Sequence, residues 1–175
     1  MTITDNYYEN LRKIPVREHF DKKGNLDYLA WSKAWDFLKR HHPSAEYWVV
    51  RNEKDNLNYF TNNNSGWVTV VVSIGGLDHS VDLAIMDNRN KAISKDEITS
   101  VDVMNTIQRA TVKACAMHGL GINAWTGEKD YISDADFDKM IEANDYNLAI
   151  KTYNNFQLTA EQKNRLSTKF KKQKS

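Results

Sequence analysis

The sequence predicts an α+β fold, and three observations carry the prediction. Residues 66–86 read as two strands of alternating pattern joined by Gly75-Gly76. Residues 100–118 read as one long, mostly apolar helix. Helical patterns also lie before the strands, at 29–42, and after the long helix, at 133–143. Runs of strands followed by runs of helices belong to α+β architectures rather than to alternating βα units.

In chain order, residues 5–13 suit a short helix and "DKKGN" at 21–25 suits a turn. The next helix places Trp31, Ala34, Trp35 and Leu38 on one face, so both tryptophans read as packing residues. Pro43 ends it, because proline disfavours helical backbone in the residue before it. "AEYWVV", 45–50, and "LNYFT", 57–61, are expected strands around the polar turn "RNEKDN". In "GWVTVVVSIGG" Val68, Val70, Val72 and Ile74 share one face, with Trp67, Thr69, Val71 and Ser73 on the other. "HSVDLAIM" sets Val81, Leu83 and Ile85 opposite Ser80 and Asp82. An antiparallel sheet of three or four strands with a covered face follows. The polar loop 87–99 holds Arg89, Lys91 and Lys95. Ser100 is the expected cap of the long helix and Gly119 its stop. Ser133 with Asp136, and Thr159 with Gln162, mark two later helix starts. The expected division is a core at 1–132 and a helical extension with a basic tail at 133–175.

Composition bounds the function. At 175 residues with 41% hydrophobic content, the chain suits one ordinary core without metal or disulfides. Cys115 is the single cysteine, which fits a reducing cytoplasm. The first residues carry no apolar secretory core, and no apolar run approaches a membrane span, so no membrane association is expected. The formal charge of +1 hides an asymmetry. Residues 159–175 hold six basic residues and one acid, leaving the rest at about −4. Such a tail is either a solvated, frayed end or a contact for an anionic partner.

On a helical wheel the long helix is apolar around most of its circumference. Asp102, Asn105, Thr106, Arg109 and Lys113 fall in one narrow arc with Ala116. Asn105, Arg109 and Lys113 stack as successive i, i+4 neighbours. The plain reading is a solvated stripe in which Asp102 partly neutralises Arg109. The functional reading is a row of cations for a polyanion, deepened by Arg89, Lys91 and Lys95. An arginine fork can bond two phosphate oxygens at once.

"YLAWSKAW", the β hairpin, "MDNRNKAI" and "MNTIQRATVKACAMHGLG" followed by "WTGEKD" come in an order that resembles a family of small phage single-strand DNA annealing proteins. That family is grouped with the ring-forming eukaryotic annealing protein that assists the strand-exchange recombinase. The resemblance spans roughly residues 10–132 and implies a hairpin sheet packed on the long helix. It also implies homo-oligomeric rings or helical filaments, single strands held in a cationic groove, and pairing of complementary strands without ATP. The position that meets DNA in the ring-forming relative falls at Arg109, and the basic residue before it there is Gln108 here. The family's Gly-Glu-Asp segment appears as Gly127-Glu128-Lys129-Asp130.

The resulting expectation is a non-enzymatic protein of DNA recombination, phage-encoded and working in the host cytoplasm. Its DNA-binding residues would be Arg89, Lys91, Lys95, Asn105, Arg109 and Lys113, with no cofactor, metal or catalytic residue. For the basic tail two partners stay open, DNA or a host single-strand binding protein. Trp67, Tyr59 and Trp125 are candidate stacking residues, though aromatics in such places more often pack. No G-x-x-x-x-G-K-[ST] loop is present, against ATP-driven exchange. His41-His42 cannot share a helix face as metal ligands, and Cys115 reads as a small core residue. Two rivals remain. One is a metal-dependent nuclease using Asp78, Asp82, Asp87, Glu97 and Lys113. The other is a non-enzymatic oligomeric interaction protein.

Overall fold

A central hairpin organises the chain in the computed structural model, which describes residues 6–23 and 26–170. Strand β5 (Gly66–Ile74) runs into β6 (Leu77–Ala84) through Gly75 and Gly76, whose φ angles are 57° and 89°. Both lie in the left-handed region that a two-residue hairpin of this hand requires. The register pairs Trp67 with Ala84 and Ile74 with Leu77. β3 (Glu46–Val49) pairs with β5 at residues 70–73, and β4 (Phe60–Thr61) pairs with β5 at 66–67. Both short strands therefore lie end to end along the β5 edge that β6 leaves open. The two expected strands around "RNEKDN" do form, but they pair with β5 rather than with each other. The second is only two residues long.

Upstream, α1 (Tyr7–Arg12) is followed by β1 (Phe20–Lys23) and β2 (Leu26–Leu29), an antiparallel pair. The turn expected at 21–25 thus begins as strand, and its remainder, Gly24 and Asn25, lies outside the described residues. α2 (Trp31–His41) buries Ala34 and Leu38 and leaves both tryptophans half-buried. Trp35 meets Tyr47 edge-on at 4.9 Å, so it does pack.

Helix α3 (Ser100–Met117) covers one face of the sheet. Val68, Val70, Val72 and Ile74 are at most 1% exposed beneath it, as their shared face requires. Each such side chain contributes roughly 1.5–3 kcal/mol on full burial. Val103, Ile107 and Ala110 meet Val68, Val70, Leu83 and Ile85 in one cluster. Val112, Ala114 and Cys115 join Leu11, Leu38 and Leu120 in a second. Burial pushes the Cys115 thiol up to about 12, consistent with a core role.

Three details of α3 differ from expectation. Its cap is Thr99, not Ser100, in a reciprocal box with Asp102. Thr106, placed on the polar arc by the wheel, is buried, because its hydroxyl donates to the carbonyl of Asp102 at 2.7 Å. Ala116 is buried as well. After α3, Gly119 turns the chain at φ 108°, where a Cβ would stand 2.5 Å from the Tyr8 carbonyl oxygen.

Beyond a short helix α4 (Asn123–Thr126), α5 (Asp134–Ala143), α6 (Tyr146–Asn155) and α7 (Ala160–Phe170) gather around their own apolar cluster. It contains Ile132, Phe137, Met140, Ala149, Leu158 and Phe170. Ser133 and Thr159 cap α5 and α7 as expected. α6 carries no such sequence mark except Asp145, whose carboxylate accepts from the Asn147 and Leu148 amides. The basic end is not simply frayed, since α7 is seated by buried Gln162 and Phe170. Lys171, Lys172 and Lys174 lie outside the described residues.

The Gly127–Asp130 segment joins the parts. Glu128 pairs with Arg12, and the Asp130 carboxylate lies 3.7 Å from Arg17. Gln157 donates to Glu128 and, at 2.7 Å, to the Lys129 carbonyl.

Candidate nucleic-acid interface

The sheet covers one side of α3, and the opposite side of the helix carries the polar stripe. Asn105 and Lys113 are exposed and Arg109 is half-buried. Four residues of helix advance about 6 Å, so these groups form a ladder along the axis. Asp102 makes no ion pair with it. The Thr99 hydroxyl first, then the Thr99 amide, bond its carboxylate and hold its pKa below the usual range. Among the described residues neither Arg109 nor Lys113 has a carboxylate partner.

Arg109 instead donates through Nη2 to Oδ1 of Asn90 at 3.3 Å. Asn90 sits at the tip of the loop that follows β6, with φ 60°. Asp87 builds that loop. Its Oδ1 accepts from the amides of Arg89 at 2.8 Å and Lys91 at 2.9 Å. The Lys91 bond above all, then the Arg89 bond and the two nearby cations, keeps this carboxylate below its usual range. The exposed side chains of Arg89 and Lys91 flank the residue that touches Arg109. The structure thus brings Arg89, Lys91, Asn105, Arg109 and Lys113 to one side of the molecule.

Lys95 is held differently. It opens a 3-10 turn, Lys95–Glu97, and its amide donates to the Asn64 carbonyl at 3.2 Å. It is exposed, but no contact ties it to Arg109. Asp96 and Glu97 beside it offset its charge.

The three stacking candidates occupy unlike places. Tyr59 packs against the core beneath α3. Trp125 is 50% exposed on α4. Trp67 stacks on Phe60, centroids 5.6 Å apart and planes 16° from parallel. By register, Phe60, Trp67, Trp48 and Val71 share the sheet face turned away from α3. Trp48 and Phe60 were not singled out by sequence; the pairing register places them, and strand alternation in "EYWV" is the sequence signal that bears on Trp48.

The acids of the nuclease alternative are scattered. Asp78 and Asp82 stand on the outer face of β6, where Asp82 accepts from Thr69 at 2.6 Å. Asp87 is spent on its loop and Glu97 lies in the 3-10 turn. Among the described residues, no three His, Cys, Asp or Glu side chains gather as metal ligands. His41 turns Nδ1 to the Phe37 carbonyl at 2.9 Å, while His42 stacks edge-on against Tyr7. No described helix is long and apolar enough to cross a membrane.

The chain matches the family model described as Sak Single Strand Annealing Protein over residues 6–157. No curated protein and no solved structure shows a significant match to it.

Proposed function

The chain belongs to the Sak single-strand annealing protein family, and from that premise we propose that it binds single-stranded DNA along α3 and pairs complementary strands without ATP. The observation that carries this reading is the ladder of Asn105, Arg109 and Lys113, in which neither cation has a carboxylate partner among the described residues and Arg109 is braced against the Arg89–Lys91 loop. Lys95 belongs to the proposed set on its charge and exposure alone.

Annealing makes and breaks no covalent bond, so the reading is non-enzymatic and needs no cofactor. Two strands repel through their phosphates. A row of cations lowers that repulsion and releases counterions, which makes binding fall steeply with salt. With the backbone held and the base edges uncovered, a second strand is tested by pairing. Stacking then drives the reaction by on the order of 1.4 kcal/mol per base step.

One protomer offers only a short ladder, about two helical turns from Asn105 to Lys113. Self-assembly into a ring or filament would extend it. The β6 edge away from β5 and the exposed apolar Val101 and Met104 on α3 support such assembly. A role in phage recombination within the host cytoplasm completes the proposal. So do residues 1–132 as annealing core and 133–175 as an extension that contacts DNA or a host single-strand binding protein.

Annealing of complementary oligonucleotides by wild type and by Arg109→Ala/Lys113→Ala tests the site. Strong loss is expected. If each residue meets one phosphate, the log–log salt slope should flatten by about 1.4. A folded double variant with unchanged annealing refutes the interface. Magnesium-dependent cutting of DNA by the pure protein, lost in Asp82→Asn, would instead place it with the nucleases.

A further inference from the structure

Two opposite sides of the core carry complementary chemistry. One is the α3 ladder. The other is the sheet face turned away from α3, which the register defines row by row. Glu46, Ser73 and Asp78 lie side by side across β3, β5 and β6. Trp48, Val71 and Ser80 form the next row, followed by Thr69 with Asp82, then Phe60 with Trp67 and Ala84. Glu46, Trp48, Asp78 and Asp82 are exposed. No lysine or arginine occurs in any of these four strands. Among the described residues the three carboxylates have no cationic partner. Exposed tryptophan between unpaired carboxylates suits an occupant that is cationic and partly apolar. The face has the wrong sign for a polynucleotide.

The chain itself supplies such an occupant. Arg109 and Lys113, with Arg89 and Lys91 beside them, present the opposite charge. Met117 continues the i, i+4 row one turn past Lys113 and is 44% exposed, an apolar match for a tryptophan face. The lengths agree. Asn105 to Met117 spans about 18 Å of helix, and Trp67 to Ser73 about 20 Å of strand. The two surfaces differ and lie on opposite sides of the core, so joining them stacks copies head to tail rather than closing a symmetric pair.

We propose that, without DNA, the acidic outer sheet face of one copy seats on the α3 ladder of a second copy, and that single-stranded DNA displaces it. The displacement rests on the reading of α3 as the DNA site. This contact covers the ladder, whereas edge-to-edge assembly would lengthen it. A copy outside such a stack keeps its ladder open. The polynucleotide wins the competition because it offers a continuous row of phosphates and releases counterions as it binds.

The test reverses each face in the full chain, as Glu46→Lys/Asp78→Lys and as Arg109→Glu/Lys113→Glu, and reads particle mass by sedimentation at low salt without DNA. Melting curves establish that both variants are folded. Wild type should form heavier particles than either variant, and added salt should remove the difference. Mixing the two variants should restore the heavy particles, because each reversed face then meets its opposite. Adding a single-stranded oligonucleotide to wild type should release the contact. Glu46→Gln/Asp78→Asn should bind that oligonucleotide at least about threefold tighter at high protein concentration, with the gain vanishing on dilution. Equal masses for wild type and the acidic-face variant overturn the proposal, as does a mixture that stays light. A gain in affinity that survives dilution comes from net charge and overturns the masking. Undiminished DNA binding by Arg109→Ala/Lys113→Ala refutes the displacement together with the annealing interface. The mass readout, taken without DNA, fails only if the contact itself is absent.

Discussion

His118, at the end of α3, is fully buried among polar and aromatic neighbours. Its Nε2 lies 2.9 Å from the Val72 carbonyl, and Nδ1 lies 3.4 Å from the Tyr7 hydroxyl. A neutral ring with the proton on Nε2 satisfies both. His79 meets it edge-on at 4.4 Å. Burial first, then the charges of His79 and His42, lower the His118 pKa, against the Val72 bond and Asp78, which raise it. His42 is lowered too, by burial and by His41. In the unfolded chain these rings titrate near 6.5. Between the folded and unfolded values the unfolded chain holds more protons. Stability therefore falls as pH drops through about 6.5, by at most about 1.4 kcal/mol per pH unit for each ring, and levels off below the folded value. The urea midpoint should be lower at about pH 5 than near neutrality, and His118→Gln should shrink that difference. Equal midpoints in the wild type would contradict this account.

At the scale of elements, α3 depends on its start. The box closed by Thr99 and Asp102 satisfies amides that otherwise stand open at a helix N-terminus. Thr99→Ala should cost about 1 kcal/mol, read as a lower urea midpoint with an unchanged slope. The sheet face and this helix were legible because apolar period and burial coincide at Val68, Val70 and Val72. The pairing of β3 and β4 was not, since a local pattern names a strand but not its neighbour. Buried Thr106 misled the wheel, as its hydroxyl bonds back to a carbonyl one turn earlier and so needs no water. α6 escaped notice because it buries Ala149 and Thr152 while exposing Leu148 and Ile150, the reverse of an ordinary amphipathic face. Charge and spacing single out Arg109 and Lys113 in the sequence. The link of Arg109 to the basic loop runs through Asn90, a neutral turn residue that gives no charge signal.

For the molecule as a whole, the acidic body and basic end are joined by the Gly127–Asp130 segment, where Glu128 and Asp130 meet Arg12 and Arg17. Different variants separate the two roles proposed for the lysine-rich end. Deleting residues 159–175 removes α7 and uncovers Phe137 and Leu158, so the extension should lose its cooperative unfolding and become protease-sensitive. Changing Lys171, Lys172 and Lys174 to Gln removes charge alone. That variant should keep the wild-type melting curve and bind single-stranded DNA more weakly at low salt, with the gap closing as salt rises. Undiminished affinity would leave those lysines no part in holding the polymer.

The bond between Arg109 and Asn90 also bears on kinetics. Because Asp87 folds the loop tip onto itself, the spacing of the cations on helix and loop is set by the protein's own hydrogen bonds. An arriving strand would then pay little for ordering its host, and capture should run at the pace of diffusional encounter rather than wait on a rearrangement.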